Sequence, residues 1–343
     1  MSDRSRWDAE MAAFTGEQER AAAAYPAVKA ELPLAPHRRV NDLLGLRTAV
    51  GGPVMADTAD RFVDARGRRI FCRVFRPATD RPITDRPAAD RPATDRLMTD
   101  RVVPTLVYFH GGGWVWANVD THDRMTREYA AAGPVAVVSV DYALSPEAKF
   151  PQALEECAAV VRWVCQHGAD WGLDPSRVFV GGDSAGGNLA LATALLLRDT
   201  GGPALAGVLA NYPVSDARFD TPSYREFGAG GFGLNTERMA FYWSVYVPHD
   251  IDRLHPLAAP LRADLAGLPP VMVLLAELDV LRSEGEALVA KLRAAGVAVE
   301  TETFAGVVHG FLRATGTVAK ARDAVAMAGA WMRRVGLGAA VSR

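Results

Sequence analysis

"FVGGDSAGGNLALATALLL", residues 179–197, runs from a short apolar segment through a glycine-rich turn into a long apolar one. Arg177–Gly181 has the valine and phenylalanine content of a buried strand, and the residues after Ser184 have that of a buried helix. Between them lies Gly182-Asp183-Ser184-Ala185-Gly186, the one G-x-S-x-G in the chain. In a strand-to-helix turn this spacing has a physical reason. A serine carried on such a strained turn stands clear of the backbone only if the residues two places away on either side are small. Gly182 and Gly186 meet that need, whereas a serine that merely opens a glycine-rich helix would not require both.

A serine hydroxyl is a poor nucleophile at neutral pH, so it needs a base, and the base needs a group that holds its tautomer. On a strand-turn-helix scaffold of this kind both follow the serine, in the order acid then histidine. Of the seven histidines, only His309 follows a late strand, 297–304, and sits in a glycine-flanked loop, GVVHGF, before the last helix. Asp279, just after the apolar run VMVLLA, is the candidate acid, with Glu277 the nearby competitor. Asp279 is preferred because its loop position leaves more freedom to reach His309.

An attack on a carbonyl puts negative charge on oxygen, and preorganised N–H groups must meet it. The stretch VYFHGGGWVWAN, 107–118, supplies such a turn. Three consecutive glycines let the backbone bend sharply and approach another molecule closely.

Around these motifs strands and helices alternate, which implies a mostly parallel sheet with crossover helices. Strands are expected at 105–109, 135–140, 177–181, 206–211, 271–276 and 297–304, and the apolar stripe of 151–167 and the segment 318–335 read as helices. Residues 60–75 alternate on either side of Arg66-Gly67, a hairpin signal. Residues 1–50 are helical in composition and are expected to form a helical appendage. In 79–101, Asp-Arg recurs every five residues among prolines, a period that suits neither helix nor strand and reads as a low-complexity loop insertion. Residues 215–260 break the alternation; TERMAFYWSVYV has hardly any polar face, so it is buried on most sides or covers an apolar pocket.

Composition limits the chemistry. With 343 residues, 49% hydrophobic, the chain can bury a large core, and its formal charge of −2 gives no basic excess for nucleic acid or an anionic membrane. A neutral small molecule is the expected partner. Three cysteines without a C-x-x-C pair suggest core thiols rather than a disulfide framework or a zinc site, so neither metal nor cofactor is expected. The first thirty residues lack an unbroken apolar run and no stretch of eighteen apolar residues occurs, so a cytoplasmic protein without stable membrane insertion is expected. Oligomeric state is open, a homodimer included.

HGGGW at 110–114, DYALSPEAKFPQALEE at 141–156, GDSAGG at 182–187, LDVLRSEG at 278–285 and HGF at 309–311 together resemble the hormone-sensitive lipase family of esterases, over about residues 60–335. The resemblance implies the α/β-hydrolase fold, a mostly parallel central sheet flanked by helices with a helical cap. The cap would be 1–50 with an insertion at 215–250, and the catalytic domain 51–340. It implies a catalytic triad of Ser184, Asp279 and His309 and an oxyanion hole from Gly112, Gly113 and Ala185, in a loop shaped by His110 and Gly111. It also implies a cofactor-independent serine carboxylesterase acting on short- to medium-chain esters through an acyl-enzyme. Two alternatives stand beside it: a deacetylase of an acetylated natural product, since the same groups cleave an amide if His309 protonates the leaving nitrogen, and a small-molecule receptor, against which the presence of His309 argues. The chain departs from the family pattern D-Y-R-L-A-P-E, with Ala143 and Ser145 replacing arginine and alanine. Any contact of that arginine is therefore absent.

Overall fold

The computed structural model describes residues 4–78 and 103–338, so the expected insertion at 79–101 lies outside the described residues. Eight strands form one sheet in the order β1-β2-β4-β3-β5-β6-β7-β8. They are β1 (Met55–Ala65), β2 (Arg68–Pro77), β3 (Thr105–Phe109), β4 (Ala136–Asp141), β5 (Val178–Asp183), β6 (Gly207–Asn211), β7 (Val271–Leu278) and β8 (Val299–Val308). The first two form the expected hairpin and pair antiparallel, as do β2 and β4; every other pairing is parallel. The hairpin turn places both Arg66 (φ 55°) and Gly67 (φ 73°) in the left-handed region, which matches the twist of the flanking strands.

The inner strands β3, β5 and β6 are buried along their whole length. That is why they read as unbroken apolar runs rather than alternating ones, since helices cover both faces of a parallel sheet. The edge strands β1 and β8 alternate. The crossovers are α3 (Asp123–Ala132), α4 (Gln152–His167), α5 (Ala185–Asp199), α8 (Arg282–Ala294) and the final α9 (Ala319–Gly338). Helix α3 packs on α9, and α4 on α5. Before the hairpin lie α1 (Ala9–Ala22) and α2 (Ala35–Ala49), and after β6 come the short α6 (Pro222–Phe227) and α7 (Thr236–Tyr246).

Strand order places the site. From β3 the chain crosses to β4 on one side and then to β5 on the other, leaving a crevice at the carboxyl ends of β3 and β5 where ligands of open α/β sheets bind. Register aligns the motifs there. Phe109 pairs with Gly182, so the HGGG turn leaves the sheet beside the serine turn. Leu278 pairs with Val308, so the next residues along the two strands, Asp279 and His309, emerge side by side. Here β8 extends four residues past the expected end at 304. It does so across an irregular step, with Gly306 at φ 72° and a register shift between Ala276 and Leu278, and a glycine in a strand commonly marks such a bulge.

The helix that opens at Ala185 lies hard against β3. A Cβ at Gly186 would run into the backbone oxygen of Phe109 and come within 2.7 Å of that of His110, neither of which can swing aside. Gly186→Ala should therefore cost about 3 kcal/mol or more by overpacking, read as a large drop in melting temperature. The control Gly168→Ala, where the nearest atom is Leu173 Cβ at 3.4 Å, should change stability by less than about 1 kcal/mol. Equal melting of the two variants would contradict the close approach.

Candidate active site

Ser184 sits between β5 and α5 with φ 56° and ψ −118°, a conformation that is strained for a residue with a side chain. The surrounding backbone holds it there. Its N–H donates to the Asn211 carbonyl at 2.9 Å, and its own carbonyl accepts from Asn188 and Val214 at 3.0 and 3.2 Å. Its Oγ lies 2.9 Å from His309 Nε2. His309 Nδ1 lies 2.7 Å from Asp279 Oδ2, while Asp279 Oδ1 accepts from the Leu281 N–H at 3.0 Å and the residue is 1% exposed. A carboxylate oxygen only accepts, so the imidazole proton resides on Nδ1 and the Nε2 lone pair faces the serine hydroxyl. The competitor Glu277 faces elsewhere, accepting from the Gly306 N–H at 2.7 Å and lying 3.6 Å from Arg6.

The HGGG turn is bent by positive φ at Gly112 (125°), Gly113 (62°) and Trp114 (61°). A side chain at Gly112 would strike the Trp116 carbonyl, and one at Gly113 would come within 2.5 Å of the Tyr242 ring. The Gly112 carbonyl accepts from the N–H groups of Val115 and Trp116 at 3.1 and 2.9 Å. The amides of Gly112, Gly113 and Ala185, by contrast, donate to no acceptor among the described residues. Oriented amides of that kind are what a developing oxyanion requires.

Behind the turn lies a buried polar cluster that motif reading passed over. Asp183 Oδ1 accepts from Tyr108 Oη and from the Gly111 N–H, both at 2.9 Å, and His122 Nε2 is 3.6 Å away. Burial pushes the Asp183 pKa up, but the nearby His122 and the donor from Tyr108 outweigh it, and the net shift is downward. The signal was in the motif itself, since Asp183 precedes the serine. His110 stacks on Tyr142 at 4.3 Å, with Nδ1 2.8 Å from the Gly111 carbonyl, and Tyr142 Oη donates to the His110 carbonyl at 2.7 Å. His110 is thus packed against Tyr142 beside the turn, and the Gly111 amide is anchored on Asp183.

Around Ala143, arginines from other segments meet the loop. Glu156, fully buried, accepts from the Ala143 N–H at 2.8 Å, and Arg68 of the hairpin donates to it at 2.6 Å. Arg38 of α2 donates to the carbonyl of Val115 and pairs with Glu147. Helix α7 presents Trp243 and Tyr246 to Trp114, with ring centroids 5.2 and 4.2 Å apart, while Tyr242 Oη accepts from Trp116 Nε1 at 3.0 Å. The apolar helix is thus both buried and part of a cavity wall. That cavity, of about 710 Å³, contains Ser184, His309, Gly112 and Gly113 and is bordered by α1 residues such as Met11 and Phe14.

With serine, histidine and aspartate in one hydrogen-bonded row on this sheet, the comparisons decide the family. The profile of a family described as the alpha/beta hydrolase fold matches residues 106–313. The chain belongs to the α/β-hydrolases, in the hormone-sensitive lipase group. It is 40% identical over 236 residues to carboxylesterase NlhH of Mycobacterium tuberculosis, covering 68% of this chain and 74% of that one. Over 226 residues it is 34% identical to an ethyl acetate hydrolase of Pseudomonas putida, covering 65% and 70%. A thermostable esterase structure from Pseudomonas putida superposes with a TM-score of 0.84 at 32% identity, covering 97% of this hydrolase and 98% of that chain. A hyperthermophilic esterase from the archaeon Pyrobaculum calidifontis gives 0.82 at 31%, covering 95% and 98%.

The three cysteines are free; Cys72 and Cys157 are buried in the core, whereas Cys165 is only half-buried. No helix among the described residues is long and apolar enough to cross a membrane.

Burial, followed by the charge of His122, draws the His110 pKa down to about 3, against an ordinary value of about 6.5. The unfolded chain therefore binds a proton that the folded hydrolase refuses, and stability falls as pH drops below about 6.5 toward the folded value. Melting temperature followed from about pH 7.5 to about pH 4.5 should fall more steeply for the parent than for His110→Asn, which lacks this proton uptake. Parallel curves would contradict a neutral, buried imidazole.

Proposed function

We infer that this α/β-hydrolase is a serine carboxylesterase in which Ser184 is the nucleophile, His309 the general base and acid, and Asp279 the group that orients and stabilises the imidazole. The observation that carries the reading is the continuous row Ser184 Oγ, His309 Nε2, His309 Nδ1, Asp279 Oδ2, with contacts of 2.9 and 2.7 Å. Ser184 Oγ attacks the ester carbonyl carbon as its proton passes to His309 Nε2, and negative charge collects on the carbonyl oxygen. The amides of Gly112, Gly113 and Ala185 meet that charge. The C–O bond to the alcohol then breaks, the leaving oxygen takes the proton from His309, and an acyl-Ser184 remains. Water repeats the sequence from the same side and releases the acid. These steps draw on no group beyond the chain and water.

The name of the ethyl acetate hydrolase and the short- to medium-chain preference implied by the family point the same way for the acyl group. We assign α1, α2 and residues 215–250 to a cap over a catalytic domain spanning 51–340. The support is that α1 residues and Tyr242 of α7 border the cavity that holds Ser184. The free thiols suit a reducing compartment and hence the cytoplasm.

Hydrolysis of p-nitrophenyl esters from acetyl to palmitoyl tests the reading. The rate should peak at short acyl groups and fall by about 10⁴ or more in Ser184→Ala. A variant that keeps more than about a tenth of the parent rate would remove Ser184 from the chemistry.

A further inference from the structure

Two arginines border the cavity beside Ser184, and their surroundings differ. Arg238 of α7 is exposed, so water satisfies its charge. Arg313 is half-buried on the single turn Phe311–Ala314, four residues after His309, and is wedged between that turn and α2. A Cβ on Gly45 of α2 would already lie 3.4 Å from its Nη2. Its one side-chain partner among the described residues is Thr48 Oγ1, at a long 3.4 Å, and its Nε is buried without any partner. No ion pair joins it to Asp183, which acts on it only through space and whose Oδ1 is already held by Tyr108 and Gly111.

A guanidinium offers five donors in a fixed fork, and a buried donor among them that finds no acceptor is destabilising. Such a group is costly as packing alone, because a methionine would fill the same space without the charge. A bidentate carboxylate would satisfy it. The nucleophile and the oxyanion amides share this cavity, so an anion delivered by the substrate would arrive with the ester.

We propose that Arg313 binds a free carboxylate of the substrate, so that the preferred esters carry an anionic group as well as the scissile bond: a half-ester of a dicarboxylic acid, or an acylated hydroxy acid. The proposal rests on the assignment of Ser184 as nucleophile and refines its substrate class. It departs from the neutral substrate that the net charge suggests, because the deciding charge is local.

The test compares matched pairs. Ethyl hydrogen glutarate against ethyl pentanoate places the charge on the acyl side, and acetoxybutanoate against butyl acetate places it on the alcohol side. The parent should favour the anionic member of one pair in kcat/KM, and which pair does so identifies the side that faces Arg313. That anionic-to-neutral ratio should fall about tenfold or more in Arg313→Met, and by less in Arg313→Lys, which keeps the charge but loses the fork. Where Arg313→Met does not fold, the lysine variant still reads the loss of the fork. A parent without preference in either pair, or variants in which both members fall by the same factor, would overturn the proposal. Glutarate itself should raise the melting temperature of the parent and not of Arg313→Met. That reading stands apart from turnover: no hydrolysis of any ester by the parent would sink the esterase assignment, while an Arg313-dependent glutarate shift would still support the anion site.

Discussion

The strained backbone of Ser184 is the constraint on which the rest of the site depends. A residue with a side chain at φ 56° and ψ −118° stays there only if its neighbours leave no other choice. They do so through the close approach of α5 to β3, which requires Gly182 and Gly186 to lack a Cβ, and through three backbone hydrogen bonds, one donated to the Asn211 carbonyl and two accepted from the Asn188 and Val214 N–H groups. The consequence is geometric. The Oγ lies 2.9 Å from the imidazole that is delivered by a strand three places away in the sheet.

Sheet register explains why the remaining groups meet it without long searching loops. The pairing of Leu278 with Val308 leaves Asp279 and His309 one step beyond a fixed rung, and that of Phe109 with Gly182 does the same for the glycine turn and the serine turn. Asp183 then ties the two turns together, since one carboxylate oxygen holds both the Tyr108 hydroxyl of β3 and the Gly111 amide. Positioning here comes from rigid elements, which hold reacting groups more accurately than loops do.

Much of this was legible in the residues. The buried strands, the hairpin at Arg66-Gly67 and the elbow each have a local cause: periodicity, a turn that needs positive φ, a turn that needs small neighbours. The strand end at 304 was misplaced because Gly306 interrupts the pattern with a bulge that pairing with β7 bridges. Arg38, Arg68 and Arg313 left no local mark, because their meaning depends on what distant segments bring to them. Arg68 meets Glu156 across 88 positions of chain and Arg313 meets Thr48 across 265. Long-range contacts of a flexible, charged side chain carry no periodicity that a sequence could display.

The central claim, that this backbone exists to present one activated serine, is tested most directly by covalent trapping. Treatment with diethyl p-nitrophenyl phosphate, followed by mass spectrometry of the intact chain and of its peptides, should find one diethylphosphoryl group per chain, on Ser184. His309→Gln should take up the label far more slowly. Labelling at another residue, or equal rates in the parent and the histidine variant, would contradict the account.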